Sequence, residues 1–396
     1  MRSSRLIPAV LALSGLPACS EEDSRLVGEQ VWVGEHLEVW ATPEATICAD
    51  SFERLDAHAE AVSQWATEHG VEPNARRWRY YWLGKETFDT RAHCGDGAAA
   101  CWLGGSIQAP HMVEHESVHA ELPPMADLFS EGLAGLLGGF VGGYVDVSSP
   151  KAPVDVRAIL DRGIDHSEYS GAEGFARLLL DRYPEQAVPA MAATAGVRGY
   201  ENVRDVMLQY GVDLDDAVED YSGQCSNTGL RFPLLECAEQ PTAWQTNDLW
   251  QASGTLSCSF GDSAGPTGNG ITTVRSFDIA EDGYYTITPS GLNGFLGGCG
   301  LEACAPLQPE GPLGDIGGLI ISNETLVELN AGRYWIRIFA SEDDPDPSWT
   351  LRIEKGDTTP LACPRACTDD RDSCVDSGND PFECDDVLSE CLTTCP

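Results

Sequence analysis

Two histidines and one glutamate stand at a spacing that suits a metal ion. His115, Glu116 and His119 belong to the segment HESVH. On a helix, residues i and i+4 lie on one face, so both imidazoles can reach the same ion. Glu116 would then lie beside an open coordination position, where its carboxylate can take a proton from water. The pattern predicts a Zn²⁺ site in which the metal lowers the pKa of bound water to about 7 and Glu116 is the general base.

A catalytic zinc site has three protein ligands, and Glu131 in the segment FSEGLA is the candidate for the third. Together with HESVH, this segment resembles the gluzincin (HExxH…E) metallopeptidases of the peptidase MA-like kind, in which a glutamate on a second helix completes the site. Pro123 and Pro124 are expected to end the first helix and let the chain turn back. The resemblance implies zinc held by His115, His119 and Glu131.

Other interpretations of this stretch stay open at the level of sequence. His111 lies four residues before His115, so a helical histidine stripe without a metal is one alternative. Glu121 and Asp127 are weaker candidates for the third ligand. The metzincin arrangement is disfavoured, because Met125 stands where its third histidine would be.

Residues 169–184, YSGAEGFARLLLDRYP, form a second region of resemblance to gluzincins. A tyrosine on such a helix can donate to the oxyanion of a tetrahedral intermediate, which makes Tyr169 a second catalytic candidate, with core packing as its alternative role. The aminopeptidase branch has its tyrosine where this chain has Gly171, and no GAMEN-like segment is present, so the resemblance implies endopeptidase action. It covers residues 37–222. It also implies that residues 104–109 form an edge strand that binds substrate backbone, with an ordinary edge strand as the alternative.

Composition and the N-terminus indicate an exported protein. Of 396 residues, 63 are acidic and 24 are Lys or Arg, and the net charge of −39 disfavours a nucleic-acid partner. Arg2 and Arg5 precede an apolar run over residues 6–16, and the sequence LPAC ending at Cys19 resembles a bacterial lipobox. We expect a lipoprotein signal peptide over 1–18, acylation of Cys19 and a tether over 19–36. The membrane attachment is then through lipid alone, at the cell envelope, and Ser20 favours the outer membrane or cell surface. An ordinary secretory signal with an incidental cysteine is the alternative.

The pattern of the chain changes along its length, which indicates several domains. The expected fold is multidomain: an α+β zincin-like metallopeptidase domain over 37–224, an all-β sandwich over 241–356, and a small disulfide-stapled helical hairpin over 360–396. The middle region has short β-rich runs separated by Gly, Pro, Asn and Asp. It resembles the β-sandwich modules appended to secreted bacterial peptidases. An acidic run at 342–346 is either a calcium site or a solvated loop.

The cysteines indicate disulfide bonds. The chain has 15 of them, and removing Cys19 leaves 14, an even number that is typical of an exported, cross-linked protein. The spacing of the last six is palindromic, and two antiparallel helices would pair them; a zinc site of four cysteines is the competing interpretation. The expected pairs are Cys363–Cys395, Cys367–Cys391, Cys374–Cys384, Cys94–Cys101 and Cys225–Cys237. One more pair is expected among Cys258, Cys299 and Cys304, with Cys48 available for the remainder.

The sequence therefore predicts an exported, lipid-anchored zinc metallopeptidase that acts on protein or peptide substrates. One alternative is a non-catalytic, surface-binding lipoprotein built on a degenerate peptidase fold. Another is a metal-dependent hydrolase of a non-peptide bond. The presence of Glu116 argues against the non-catalytic alternative, because loss of activity frees the general base to change.

Overall fold

Within the residues that it describes, the computed structural model is a mixed α/β chain with three sheets and three disulfide bonds. The described residues are 28–74, 76–94, 98–138, 154–224, 234–238, 240–246, 248–259, 263–267, 270–299, 319–341 and 347–356. The predicted signal peptide, Cys19, the acidic run at 342–346 and the Cys-rich tail with its three predicted pairs lie outside these residues. No described helix combines the length and the apolar character needed to cross a bilayer.

The first sheet has five strands in the order β1–β2–β3–β5–β4. They are β1 (Glu29–Val33), β2 (Leu37–Ala41), β3 (Trp78–Trp82), β4 (Cys101–Trp102) and β5 (Ser106–Ala109). The three inner strands are parallel, whereas β1 and β4 pair antiparallel at the two edges. The prediction of an edge strand just before the metal motif is wrong, because β5 lies inside the sheet. Gly104 and Gly105, both with positive φ, turn the chain so that β4 pairs outside β5.

Helices cover this sheet and extend beyond it. In chain order they are α1 (Ser51–Glu68), α2 (Lys85–Arg91), α3 (Glu114–Glu121), α4 (Asp127–Leu137), α5 (Val156–Arg162), α6 (Tyr169–Arg182), α7 (Ala187–Ala192), α8 (Tyr200–Gln209), α9 (Leu214–Gln224) and α10 (Leu234–Ala238). α1 buries Leu55, Ala59 and Val62 along one face, as their helical spacing predicts. α4 and α6 pack along each other inside a large apolar core that contains Phe129 and Phe175.

Two further sheets share one apolar core, in agreement with the predicted β-sandwich. Their orders are β11–β10–β13–β8–β7 and β12–β9–β14–β6. The strands are β6 (Leu249–Thr255), β7 (Ala264–Thr267), β8 (Gly270–Ile279), β9 (Gly283–Ser290), β10 (Asn293–Gly298), β11 (Leu319–Ile321), β12 (Thr325–Leu329), β13 (Gly332–Ala340) and β14 (Ser348–Lys355). Trp250 of one sheet meets Phe277 of the other, with ring centroids 5.1 Å apart. The short β-rich runs expected from the sequence correspond to β8, β9, β11, β12, β13 and β14, whereas β6, β7 and β10 lie outside those runs.

Two of the three disulfide bonds among the described residues join regions that are far apart in the chain. The predicted pair Cys94–Cys101 is present, beside the first sheet. Cys48 pairs with Cys258 across a sequence separation of 210, which links the segment that precedes α1 to the sandwich. The predicted pair Cys225–Cys237 is wrong, because Cys237 is bonded to Cys299. α10, which carries Cys237, packs on β8 and β13, and this brings the cysteine to the end of β10.

Candidate metal centre

The helix α3 places His115, Glu116 and His119 in the interior of the protein. It begins at Glu114 and ends at Glu121, because Leu122 is extended and Pro123 follows. The prediction that the proline pair ends this helix agrees with the structure. The side chains of both histidines are largely buried, with 5% and 12% of their surfaces exposed.

The helix α4 brings Glu131 opposite these histidines because glycines let it approach its neighbours closely. A Cβ atom on Gly132 would lie 2.5 Å from the carbonyl oxygen of Ala172 on α6. A Cβ atom on Gly138 would lie 2.4 Å from the Cα atom of His115 on α3. Any larger residue at these two positions would push α4 away from the two helices that it must contact.

Three potential ligand atoms converge at one point. The Nε2 atom of His115 lies 3.1 Å from Oε2 of Glu131 and 3.2 Å from Nε2 of His119, and the remaining side of the triangle, from His119 to Glu131, is 3.5 Å. Atoms bound to a tetrahedral zinc ion at 2.0–2.1 Å lie about 3.3–3.4 Å from one another. Two imidazoles and a carboxylate are also donors that zinc accepts. The residues present therefore fit a zinc ion.

The outer ring nitrogens of the two histidines differ in their partners. Nδ1 of His119 lies 3.0 Å from the hydroxyl of Ser130, which fixes the orientation of that ring. Nδ1 of His115 is buried and has no hydrogen-bond partner among the described residues. The ring of His115 is stacked in parallel on that of Tyr169, with centroids 6.1 Å apart.

The charges in the cluster favour a cation. Burial raises the pKa of Glu131, but hydrogen bonds from His115 and His119 outweigh burial and hold that pKa well below its usual range. Burial lowers the pKa of His119, but the hydrogen bond to Glu131 and the charges of Glu131 and Glu116 outweigh burial and raise it. Without a metal, the Glu131 carboxylate is thus ionised and favours the protonated form of His119. A metal ion that binds here must displace that proton, so its affinity should rise with pH.

Both predicted catalytic residues lie beside this cluster. Glu116 is 8% exposed, and its carboxylate makes no hydrogen bond with another described residue. Its negative charge contributes to the raised pKa values of His119 and Tyr169, so it lies close to both. Burial raises the pKa of Tyr169, and the charge of Glu131 raises it further. Tyr169 therefore keeps its proton and can act as a hydrogen-bond donor at neutral pH.

The structure separates the competing candidates from the cluster. His111 precedes the first residue of α3, so the helical stripe of three histidines is wrong. Burial and then the charge of Lys85 lower the pKa of His111 to about 4. Glu121 accepts a hydrogen bond from the indole of Trp78 at 2.8 Å and does not reach the ligand atoms. Asp127 is exposed in the first turn of α4.

One positioning residue was missed at the level of sequence. His58 on α1 is 2% exposed. Its Nδ1 lies 2.7 Å from the hydroxyl of Ser117 on α3, and its Nε2 lies 3.0 Å from the carbonyl oxygen of Leu137 on α4. It therefore ties together the two helices that carry the ligands. Its position on the apolar face of α1 was the only signal in the sequence.

Comparison with known proteins assigns neither a family nor a function. No protein-family model matches the chain, and no curated protein sequence matches it. The crystal structure of Aeromonas hydrophila PliG, a periplasmic lysozyme inhibitor of g-type lysozyme, is similar over 29% of this chain and 94% of that chain, with 15% identity and a TM-score of 0.20. The pre-peptidase C-terminal domain of collagenase from Bacillus anthracis is similar over 29% of this chain and 98% of that chain, with 17% identity and a TM-score of 0.18. Likeness at these TM-scores carries no argument about this protein.

Proposed function

We propose that this protein is a zinc-dependent metallopeptidase of the gluzincin type, acting as an endopeptidase on protein or peptide substrates. The observation that carries the proposal is the triangle of ligand atoms from His115, His119 and Glu131, with sides of 3.1, 3.2 and 3.5 Å. Glu116 supports it further, because a carboxylate lies beside this triangle without a structural partner among the described residues. A purely structural histidine pair would not need either feature.

The residues around the ligands have distinct tasks in peptide hydrolysis. When bound, zinc supplies Lewis acidity, which polarises a carbonyl group and lowers the pKa of water. Glu116 accepts the proton of the attacking water and passes it to the leaving amine, so it is base and then acid. Tyr169 remains protonated and donates a hydrogen bond to the oxygen on which negative charge develops. Ser130 and His58 hold the ligand side chains and their helices in place.

The proposed location is the cell envelope, with attachment through a lipid on Cys19. The lipobox-like sequence and the charged and apolar segments before it support this part of the proposal. The disulfide bonds support export independently. Within the described part of the chain all the cysteines are paired, as Cys48–Cys258, Cys94–Cys101 and Cys237–Cys299. Such bonds persist in oxidising compartments and are rare in the cytosol.

The test is cleavage of a broad pool of peptides and denatured proteins by the zinc-loaded protein. The variant Glu116→Gln keeps the size of the side chain but removes the base, so it should retain zinc and lose activity by about 100-fold or more. Glu201→Gln is the matched control, because its carboxylate is 71% exposed on α8, and it should behave as wild type. Cleavage that survives Glu116→Gln would contradict the assigned base.

The same assay separates the proposal from its rivals. A zinc-loaded, folded wild type that cleaves nothing in the pool would contradict the peptidase function. The non-catalytic lipoprotein and the hydrolase of a non-peptide bond would then be the remaining interpretations. Zinc retention by Glu116→Gln is needed for the comparison, because it shows that the loss of activity arises from the missing base.

A further inference from the structure

Four charged side chains form a buried cluster where the β-sandwich meets the helices. Arg54 of α1 donates from Nε to Glu114 at 2.7 Å, and it also contacts Glu236 of α10. Arg337 of β13 donates to Glu236 at 2.9 Å and approaches Glu114 at 3.6 Å. The four side chains are between 2% and 13% exposed. Two positive and two negative charges thus neutralise one another in a place that is largely shielded from water.

The cluster lies at the start of the helix that carries the metal motif. Glu114 is the first residue of α3 and directly precedes His115. α3 has eight residues, and no side-chain hydrogen bond caps its first turn. A helix this short is not stable by itself in water, so its start must be held by contacts from elsewhere.

Those contacts come from both the first sheet and the sandwich. The N–H of Val113 donates to the hydroxyl of Tyr80 on β3 at 3.0 Å. The N–H of Met112 donates to the carbonyl oxygen of Pro266 on β7 at 2.7 Å. β7 and β13 belong to the same sheet of the sandwich. The sandwich therefore holds the entry to α3 at two points, one through the backbone and one through the ion cluster.

We infer that the β-sandwich is part of the scaffold of the metal centre and that Arg337 is a positioning residue for it, acting through Glu114 on His115 and Glu116. The inference rests on the proposed zinc site. Removing Arg337 leaves two buried carboxylates, Glu114 and Glu236, to share the single positive charge of Arg54. Water must then enter to solvate the excess negative charge, and the first turn of α3 loosens. The two Nε2 atoms, 3.2 Å apart in the structure, then lose their fixed separation.

The competing interpretation is that the cluster only holds two parts of the chain together. Arg333 provides the matched control, because it lies on the same strand and forms an ion pair with Asp278 at 2.9 Å, also in the sandwich. Arg333 also donates to the carbonyl oxygen of Cys237 at 3.2 Å. Its loss removes an arginine–carboxylate pair from the sandwich but keeps the ion pairs of Glu114 with Arg54 and Arg337. A merely structural role predicts that Arg337→Gln and Arg333→Gln differ in stability alone.

The experiment measures the zinc affinity of the metal-free full-length protein by competition with a chelator. Wild type, Arg337→Gln and Arg333→Gln are compared at a temperature at which near-ultraviolet circular dichroism shows each to be folded. We expect Arg337→Gln to bind zinc about tenfold more weakly than wild type, the size of effect seen when a residue that orients a ligand is removed. Arg333→Gln should bind as wild type does. The visible spectrum with Co²⁺ in place of Zn²⁺ should also change for Arg337→Gln alone, because it reports the geometry around the metal.

The outcomes separate this inference from the proposed function. If Arg337→Gln has the same zinc affinity and the same cobalt spectrum as wild type, the inference is overturned, while the proposed zinc site is unaffected. A folded wild type that binds no zinc would overturn the proposed function as well. If Arg337→Gln does not fold, Arg337→Lys keeps the charge but loses the second donor of the fork. It should then bind zinc more weakly than wild type, and unchanged affinity would again overturn the inference.

Discussion

Replacing Gly132 with alanine tests whether the close approach of α4 to α6 creates the metal centre. The added Cβ atom would lie 2.5 Å from the carbonyl oxygen of Ala172, 2.9 Å from its carbonyl carbon and 3.0 Å from the Cβ atom of Ala176. The first two of these atoms are backbone of α6, so no side-chain rotation can relieve the contact. The helices must move apart, and Glu131, the neighbouring residue, must move with α4.

Two opposing effects decide the size of the change in stability. Overpacking of this kind costs about 1–3 kcal/mol. Alanine in a helix is favoured over glycine by about 1 kcal/mol, which offsets part of the cost. The net loss is therefore about 1 kcal/mol, which lowers Tm by roughly 2–4 °C for a cooperative unit of 150–250 residues. We expect the displacement of Glu131 to weaken zinc binding by about tenfold.

The assay compares thermal unfolding of the metal-free protein and its zinc affinity for Gly132→Ala and for a control, Gly283→Ala. Gly283 has ordinary φ, and a Cβ atom there would meet nothing closer than 3.7 Å. The control should therefore keep the zinc affinity of wild type. If Gly132→Ala raised Tm and left zinc affinity unchanged, the gain in helix propensity would be the only effect. The argument that glycine is required for the approach of α4 would then be refuted.

Three further predictions concern other parts of the molecule. Tyr169→Phe should lower kcat by about 100-fold with zinc content unchanged, because one donor to the developing oxyanion is lost, and an unchanged kcat would refute that role. Burial raises the pKa of Glu236, but the charges of Arg54 and Arg337 outweigh burial and lower that pKa from 4.5 to about 2. The contribution of Glu236 to stability is therefore present above pH 4.5 and is lost as the pH falls through about 2. With a chelator present, Tm should fall more steeply between pH 5 and pH 2.5 in wild type than in Glu236→Gln, and equal slopes would contradict the ion cluster. Replacing Cys48 and Cys258 with serine should destabilise the protein by about 2–5 kcal/mol in thermal unfolding, and an unchanged Tm would show that this bond does not constrain the unfolded chain.

The parts of the site that are local in sequence could be predicted. HESVH lies on a helix in the structure because its spacing encodes one helical face, and the proline pair ends that helix. Glu131 required the resemblance, since nothing in the spacing across a turn selects it over Asp127. The need for glycine at position 132 becomes clear only from the structure, because a Cβ atom there would lie 2.5 Å from the backbone of α6.

The parts that depend on distant pairing could not be predicted. The bond between Cys237 and Cys299 spans 62 residues, and cysteine spacing alone favoured a nearer partner. Arg337 and Glu114 are brought together only by the packing of β13 beside α10 and α3, which no periodicity reveals. Residues of low strand propensity stand in β7, which contains Gly and Pro, and in β10, which contains three Gly. These strands form because β8 pairs with β7 and β13 pairs with β10.

Zinc content per chain tests the central claim most directly. Elemental analysis should be made on protein that lacks residues 1–19, after zinc is offered and excess is removed, for wild type and for Glu131→Ala. The account predicts one zinc ion per wild-type chain and clearly weaker retention in the variant, because one of the three converging ligand atoms is lost. A folded wild type that retains no zinc, or a Glu131→Ala variant that retains it as firmly as wild type, would contradict the metal centre described here.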